Sequence, residues 1–311
     1  MVSLRAYTAI TLFGWQKKLL LLHPNNTKLM RRIFEQGTSI VPIPSQLSFE
    51  HSHIENLPIL SIHNQSTNKV KGRILFYIHG GGFVIGSPHS YRAYVGTLCK
   101  LAKAELAYLP DYRLAPEHPY PAALEDVLLA WQSLSDKFPA HEILLAGDSA
   151  GGNLALALSI ILRDKQLNMP KKIYLQSPWL DLTLSSLSHA RQDKRDPFLG
   201  TYFLERDFAR HYAKDHIRND PLLSPLYADF TGLPPLLVQV GSREVLLDDS
   251  REFAKRAKAV DVSVTLSIWT GMWHAWPQIP FVPESRNALI EAGKWLDHSR
   301  KQTSNQEFAY K

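Results

Sequence analysis

Cys99 is the only cysteine among 311 residues. The chain can therefore form no internal disulfide and build no cysteine-based metal site, and a reducing, cytoplasmic location is the expectation. Cys99 itself lies in the apolar stretch Val95-Gly96-Thr97-Leu98-Cys99-Lys100-Leu101-Ala102 and reads as a small core side chain. Long hydrophobic runs are also missing. Residues 19–22 form a short apolar run, far below the ~20 residues of a membrane span. The N-terminus lacks a secretory pattern, so stable membrane insertion is not expected. Charge of one sign is scarce: 35 Lys and Arg against 29 Asp and Glu give a net +6. The basic residues are scattered apart from short clusters such as Lys17-Lys18 and residues 71–73. No basic stripe is interleaved with aromatics, which argues against a nucleic-acid partner. The balance fits solubility or weak attraction to anionic surfaces. No metal cluster is visible, and Gly80-Gly81-Gly82 has neither the Lys-Ser/Thr of a phosphate loop nor the spacing of a dinucleotide fingerprint. No cofactor and no metal are expected, and there is no internal repeat.

The chain is 45% hydrophobic, enough to bury a substantial core as one large domain with an insertion or as two small domains. Residues 1–36 read as helices, with Tyr7, Ile10, Phe13 and Trp15 near one face and a break at Pro24. They precede the first strand, so they belong to no repeating strand–helix unit. They suit a lid over a site, or association with a membrane surface; the lid is the simpler reading. Short edge strands are expected within residues 39–70. Strands at 73–78, 105–109, 143–146 and 172–176 then alternate with helices at 91–104, 122–135 and from the 149 region to about 164. This predicts a mostly parallel sheet with helices on both faces. The alternation resumes with a strand at 236–240, a helix at 249–260, a strand at 262–268 and a helix at 284–297. Residues 181–230 interrupt it, with Phe198, Tyr202, Phe203, Phe208 and Tyr212 at roughly helical spacing. The resulting division is cap helices over 1–36, core over 37–180, a cap insertion over 181–230, core again over 231–299 and a frayed polar tail over 300–311.

Two motifs carry chemistry. Ile143-Leu144-Leu145-Ala146 runs into Gly147-Asp148-Ser149-Ala150-Gly151, and an apolar, helix-favouring run over 154–162 follows. A serine between a buried strand and a helix is pushed out of the sheet on a sharp turn. The helix N-terminus behind it favours developing negative charge. Upstream, His79-Gly80-Gly81-Gly82-Phe83 ends a strong buried strand. Three glycines there let backbone N–H groups approach an oxyanion, and His-Gly-Gly-Gly is a recognised motif for that purpose. Gly81, Gly82 and Ala150 are the expected donors. His79 reads as a brace for the loop.

A serine hydroxyl needs a base, and the base needs an orienting carboxylate. On an α/β hydrolase sheet these follow the serine in the order acid, histidine. His274 sits just after the last strand of the alternation, where such a base belongs. His298 is later but lies in a polar terminal segment. The loop after the preceding strand offers Glu244, Asp248 and Asp249. Glu244 is nearest the strand end, while Asp248 and Asp249 fall where a helix N-cap is expected. Glu244 is thus the preferred acid and Asp248 the alternative. Phe83, Trp179 and Trp273 are expected as walls of a substrate pocket.

These residues resemble the bacterial hormone-sensitive-lipase-like (family IV) esterases of the α/β hydrolase superfamily. The resemblance rests on His79-Gly80-Gly81-Gly82-Phe83, on Gly147-Asp148-Ser149-Ala150-Gly151-Gly152 and on the segment from Tyr112-Arg113-Leu114-Ala115-Pro116-Glu117 to Ala123. It spans residues 73–297. In that family the first two motifs form the oxyanion hole and the nucleophile turn, and an N-terminal segment plus an insertion form the cap. The family's acid motif, Asp-Pro-Leu-x-Asp, aligns with Glu244-Val245-Leu246-Leu247-Asp248, with Glu for the first Asp and Val for Pro. The implied activity is hydrolysis of short-acyl carboxylic esters through an acyl-enzyme, with a small-molecule ester as partner. A homodimer is left open. An amidase or arylformamidase uses the same machinery, a true lipase would need a large exposed apolar lid, and a non-catalytic receptor on this fold would lack His274.

Overall fold

The computed structural model describes residues 2–21, 26–139, 141–297 and 309–310. A nine-stranded sheet runs through the described residues in the order β1-β2-β4-β3-β5-β6-β7-β8-β9. The strands are β1 (Leu47–Ile54), β2 (Leu57–Asn64), β3 (Val70–Ile78), β4 (Ala104–Pro110), β5 (Glu142–Asp148), β6 (Lys172–Gln176), β7 (Leu236–Gly241), β8 (Val264–Trp269) and β9 (Ala309–Tyr310). β1 and β2 pair antiparallel, and β2 pairs antiparallel with β4; every other pairing is parallel. The helices are α1 (Leu4–Leu21), α2 (Thr27–Ser39), α3 (Pro88–Leu101), α4 (Ala122–Lys137), α5 (Ser149–Asp164), α6 (Leu187–Gln192), α7 (Thr201–Phe203), α8 (Arg210–Ala213), α9 (Leu247–Ala259) and α10 (Pro283–Asp297). A π-helical turn, Leu204–Ala209, joins α7 to α8.

The central strands are apolar because both faces are covered. Along β3, Ile74, Phe76 and Ile78 enter one core with Val127 and Trp131 of α4, Leu154 and Leu158 of α5 and Phe253 of α9. Leu75 and Tyr77 enter the other, with Tyr94, Val95 and Leu98 of α3 and Leu289 and Leu296 of α10. This is the period of two that a strand imposes on its side chains. Cys99 lies buried in the second core.

α3 begins three residues earlier than the apolar pattern predicts. Ser87 caps it in a reciprocal pair with Ser90, and both hydroxyls donate to Glu35 of α2 at 2.9 and 2.8 Å. α2 runs to Ser39, beyond the boundary expected at 36. Between β6 and β7 lie α6, the α7–α8 segment and a short 3-10 turn, Pro225–Tyr227, with no strand. His298 and most of the predicted polar tail lie outside the described residues. Its described pair, Ala309–Tyr310, lies parallel to Ser267 and Ile268 of β8.

Candidate active site

β5 delivers Asp148 and Ser149 to the carboxyl edge of the sheet, and α5 starts at Ser149 itself. Ser149 has φ +51°, the left-handed strain expected of a nucleophile turn. The turn is tight enough that a Cβ on Gly151 would lie 2.1 Å from the carbonyl oxygen of Ile78, so no larger residue fits. β8 ends at Trp269, and the loop beyond it carries His274. β7 ends at Gly241, and Glu244 follows in the next loop.

The structure brings Ser149, His274 and Glu244 together. His274 Nε2 is 3.0 Å from Ser149 Oγ, and His274 Nδ1 is 3.0 Å from Glu244 Oε2. Glu244 is fully buried, and its other oxygen accepts from Ser177 Oγ at 2.8 Å and from Gly241 N–H at 2.5 Å. Two fixed donors thus hold the carboxylate that faces the imidazole. Burial on its own pushes the His274 imidazolium down. The hydrogen bond and charge of Glu244, with Asp196 and Asp148 behind it, outweigh that and hold His274 above its ordinary value.

Asp248 is elsewhere. Its carboxylate pairs with Arg191 at 2.9 Å and Arg251 at 3.0 Å on the outer side of α9. Nor are Asp248 and Asp249 N-caps: the cap position is Leu246, and both acids lie in the first helical turn. Asp249 is buried and accepts from Leu180 N–H, Asp181 N–H and Ser186 Oγ. It ties the segment after β6 to α9, and burial raises its carboxyl to about 6.

The glycine loop stands over the serine. Gly81 and Gly82 line the same cavity as Ser149 and His274. Ala150 lies in the first turn of α5, where backbone N–H groups have no partner within the helix. Gly82 has φ +61°, and a Cβ there would lie 2.4 Å from the Phe208 ring. His79 is buried behind the loop, stacked on Tyr112 with ring centroids 4.3 Å apart. Burial holds it down at about 4, so it stays neutral.

The cavity is roofed by the N-terminal helices and the insertion. Phe13 and Lys17 of α1 and Met30, Ile33 and Phe34 of α2 line it, as do Phe198, Leu199, Phe203, Leu204 and Phe208 of the insertion. The wall is strongly apolar; apart from Lys17 in the roof, its charged and polar groups include Ser149, His274, Asp148 and Gln278.

The sequence profile of the α/β hydrolase fold matches residues 75–278. An esterase of Acinetobacter venetianus is 41% identical over 226 residues, covering 72% of this chain and 74% of the relative. An acetyl-hydrolase of Streptomyces hygroscopicus is 42% identical over 227 residues, covering 72% and 75%. The crystal structure of an esterase from the bacterial hormone-sensitive lipase family matches with a TM-score of 0.87 at 32% identity, covering 96% of this chain and 99% of that one. The chain belongs to the hormone-sensitive-lipase-like esterases of the α/β hydrolase superfamily.

Within this esterase, two of the three expected pocket walls stand behind the cavity instead of on it. Trp179 lines it. Phe83 does not: at φ +65° its ring turns away from the glycine loop and stacks on Tyr212 with centroids 3.7 Å apart. Trp273 is fully buried beneath α1, 6.0 Å from the Phe13 ring. Their places are taken by the cap aromatics.

Three further residues had no local signal. Asp148 accepts hydrogen bonds from Tyr77, Tyr91, Gly80 N–H and Gln278. Asp196, buried in the insertion, lies close enough to His274 and Glu244 to interact with both, and burial raises it to about 6. Lys17 donates to the carbonyls of Asp193, Asp196 and Leu199 at 2.9, 3.0 and 2.9 Å, pinning α1 to the insertion.

Proposed function

We propose that this esterase is a carboxylic ester hydrolase acting through an acyl-enzyme at Ser149. His274 takes the Ser149 proton as the hydroxyl attacks the ester carbonyl, and delivers it to the leaving alcohol. Water, activated by the same imidazole, then releases the acid. Glu244 holds the imidazole tautomer and stabilises the imidazolium. The N–H groups of Gly81, Gly82 and Ala150 receive the oxyanion. The observation that carries this reading is the continuous Ser149–His274–Glu244 hydrogen-bond chain at the floor of an apolar cavity. Relatives named esterase and acetyl-hydrolase support it. The chemistry of the proposed triad and oxyanion donors calls for no cofactor.

In this reading α1, α2 and the insertion act as a cap whose apolar residues bind the acyl or alcohol group. Short-acyl esters are the preferred substrates, with an optimum at about two to six acyl carbons: each methylene that fits gains roughly 0.8 kcal/mol, and one that forces repacking costs about 1–3 kcal/mol. The deciding experiment is kcat/KM on p-nitrophenyl esters of increasing acyl length, with an amide and a formamide alongside, below micelle formation. Turnover of short esters with negligible amide cleavage is the expected result. Preference for the amide or formamide would replace it with an amidase reading. An optimum at about ten or more carbons, or activation at an oil–water interface, would replace it with a lipase reading.

A further inference from the structure

The two helices that roof the cavity carry most of the net charge of the chain: six Lys and Arg against the single acid Glu35, which is occupied by Ser87 and Ser90. Residues 1–34 contain six Lys and Arg and no Asp or Glu, and the rest of the sequence holds 29 of each sign. Two of the six are used inside the fold. Lys17 is bound to three carbonyls, and Arg31 bonds Glu117 and the carbonyls of Val84 and Ala115. Arg5, Lys18, Lys28 and Arg32 are exposed.

α1 is apolar on both of its faces. Ala6, Ala9 and Phe13 pack inward with Trp273 and Trp276. Leu4, Tyr7, Leu12 and Trp15 point outward and are 82%, 53%, 60% and 69% exposed. At 3.6 residues per turn these four fall on one face, with Thr8 and Thr11 between them. Lys18 Nζ sits 5.4 Å from the centroid of the Trp15 ring. A cluster of large apolar side chains on one exposed helix face marks an interaction surface, and α1 presents such a cluster on its outer side.

We infer that the outer face of α1, together with the basic surface of α2, docks on an anionic phospholipid bilayer. Aromatic and aliphatic side chains bordered by Lys and Arg form the pattern that seats a helix in the headgroup layer. The charge selects this occupant. A second copy paired about a two-fold axis would bring the same basic helices against each other, with like charges opposed. Among the described residues no helix is long and apolar enough to cross a membrane, so the contact is peripheral. α1 and α2 also line the cavity through Phe13, Met30, Ile33 and Phe34. Docking would therefore bring the cavity roof to the lipid, where apolar esters accumulate.

The test is cosedimentation of the full chain with phosphatidylglycerol–phosphatidylcholine vesicles and with phosphatidylcholine alone, at low and high salt. Binding to the anionic vesicles, weakened by salt, is expected. A Leu12→Ala/Trp15→Ala variant and a Lys28→Gln/Arg32→Gln variant should each weaken it about 10- to 30-fold, with hydrolysis of a water-soluble acetyl ester unchanged. None of these four residues lines the cavity. No binding, equal binding to both vesicle types, or wild-type binding by both variants would overturn the inference. So would a dimer in sedimentation velocity that Leu12→Ala/Trp15→Ala dissolves, which would assign the face to a second copy. Binding is read without turnover, so a failure here is distinct from a failure of the esterase reading.

Discussion

Asp148 Oδ1 accepts the backbone N–H of Gly80 at 2.8 Å, so the residue before Ser149 holds the start of the glycine loop. The same carboxylate accepts from Tyr77 and Tyr91 at 2.7 and 2.9 Å and from Gln278 at 2.8 Å. The nucleophile turn and the proposed oxyanion loop are thus one hydrogen-bonded unit. Asp148→Ala leaves three buried donors, Tyr77, Tyr91 and Gly80 N–H, and the half-buried Gln278 amide without their acceptor, at a cost on the order of 3 kcal/mol or more. The expected result is a clear fall in Tm, with kcat lowered on the order of 10²-fold. Calorimetry and ester kinetics on the same preparation check both.

Glu244 and Asp248 separate in the same way. Glu244→Gln should retain the fold and lower kcat on the order of 10³- to 10⁴-fold, because an amide cannot hold the imidazole tautomer as a carboxylate does. Asp248→Asn loses only partly exposed pairs with Arg191 and Arg251, worth roughly 0–1 kcal/mol each, and should keep near-normal kcat. A dead Asp248→Asn would reverse the assignment.

The pH profile follows from the sign of the His274 shift. In the proposed mechanism the base must be neutral to take the Ser149 proton, and His274 is held above its ordinary value against the pull of burial. Activity should therefore rise with pH through a midpoint above about 6.5. Asp196 is one of the carboxylates that raises it, so Asp196→Asn should move the midpoint of kcat/KM to lower pH. An unmoved midpoint would mean that Asp196 only braces the insertion through its bonds to Phe198 and Leu199 N–H.

Lys17→Met removes the three-carbonyl anchor between α1 and the insertion. About 2 kcal/mol of stability should be lost, and KM should change differently for short and long esters because both anchored elements line the cavity. Unchanged KM ratios across the ester series would separate the anchor from substrate binding.

The alternation of apolar runs with helical stretches made the mostly parallel sheet and most helices legible, because both faces of the central strands are buried; the strand order was not, since pairing across the sheet leaves no local pattern. Glu244 was legible by its closeness to the end of β7. Asp148, Asp196 and Lys17 were not. Asp148 and Lys17 bond partners dozens of residues away or more, and Asp196 meets His274 and Glu244 only through the fold; no local spacing encodes such pairs. Phe83 misleads because the glycines before it and its own left-handed backbone aim its ring behind the loop. Trp273 is one residue from His274, yet α1 packs over it.

The most direct test of the account is covalent labelling of Ser149. The intact protein is treated with an organophosphate and digested, and the adduct is located by mass spectrometry, with Ser149→Ala and His274→Ala run in parallel. One adduct on Ser149 is expected, with none there in Ser149→Ala, much slower labelling in His274→Ala, and loss of ester turnover in step with labelling. An adduct on another residue that accompanies inactivation, or a Ser149→Ala protein that still hydrolyses esters at the native rate, would contradict it.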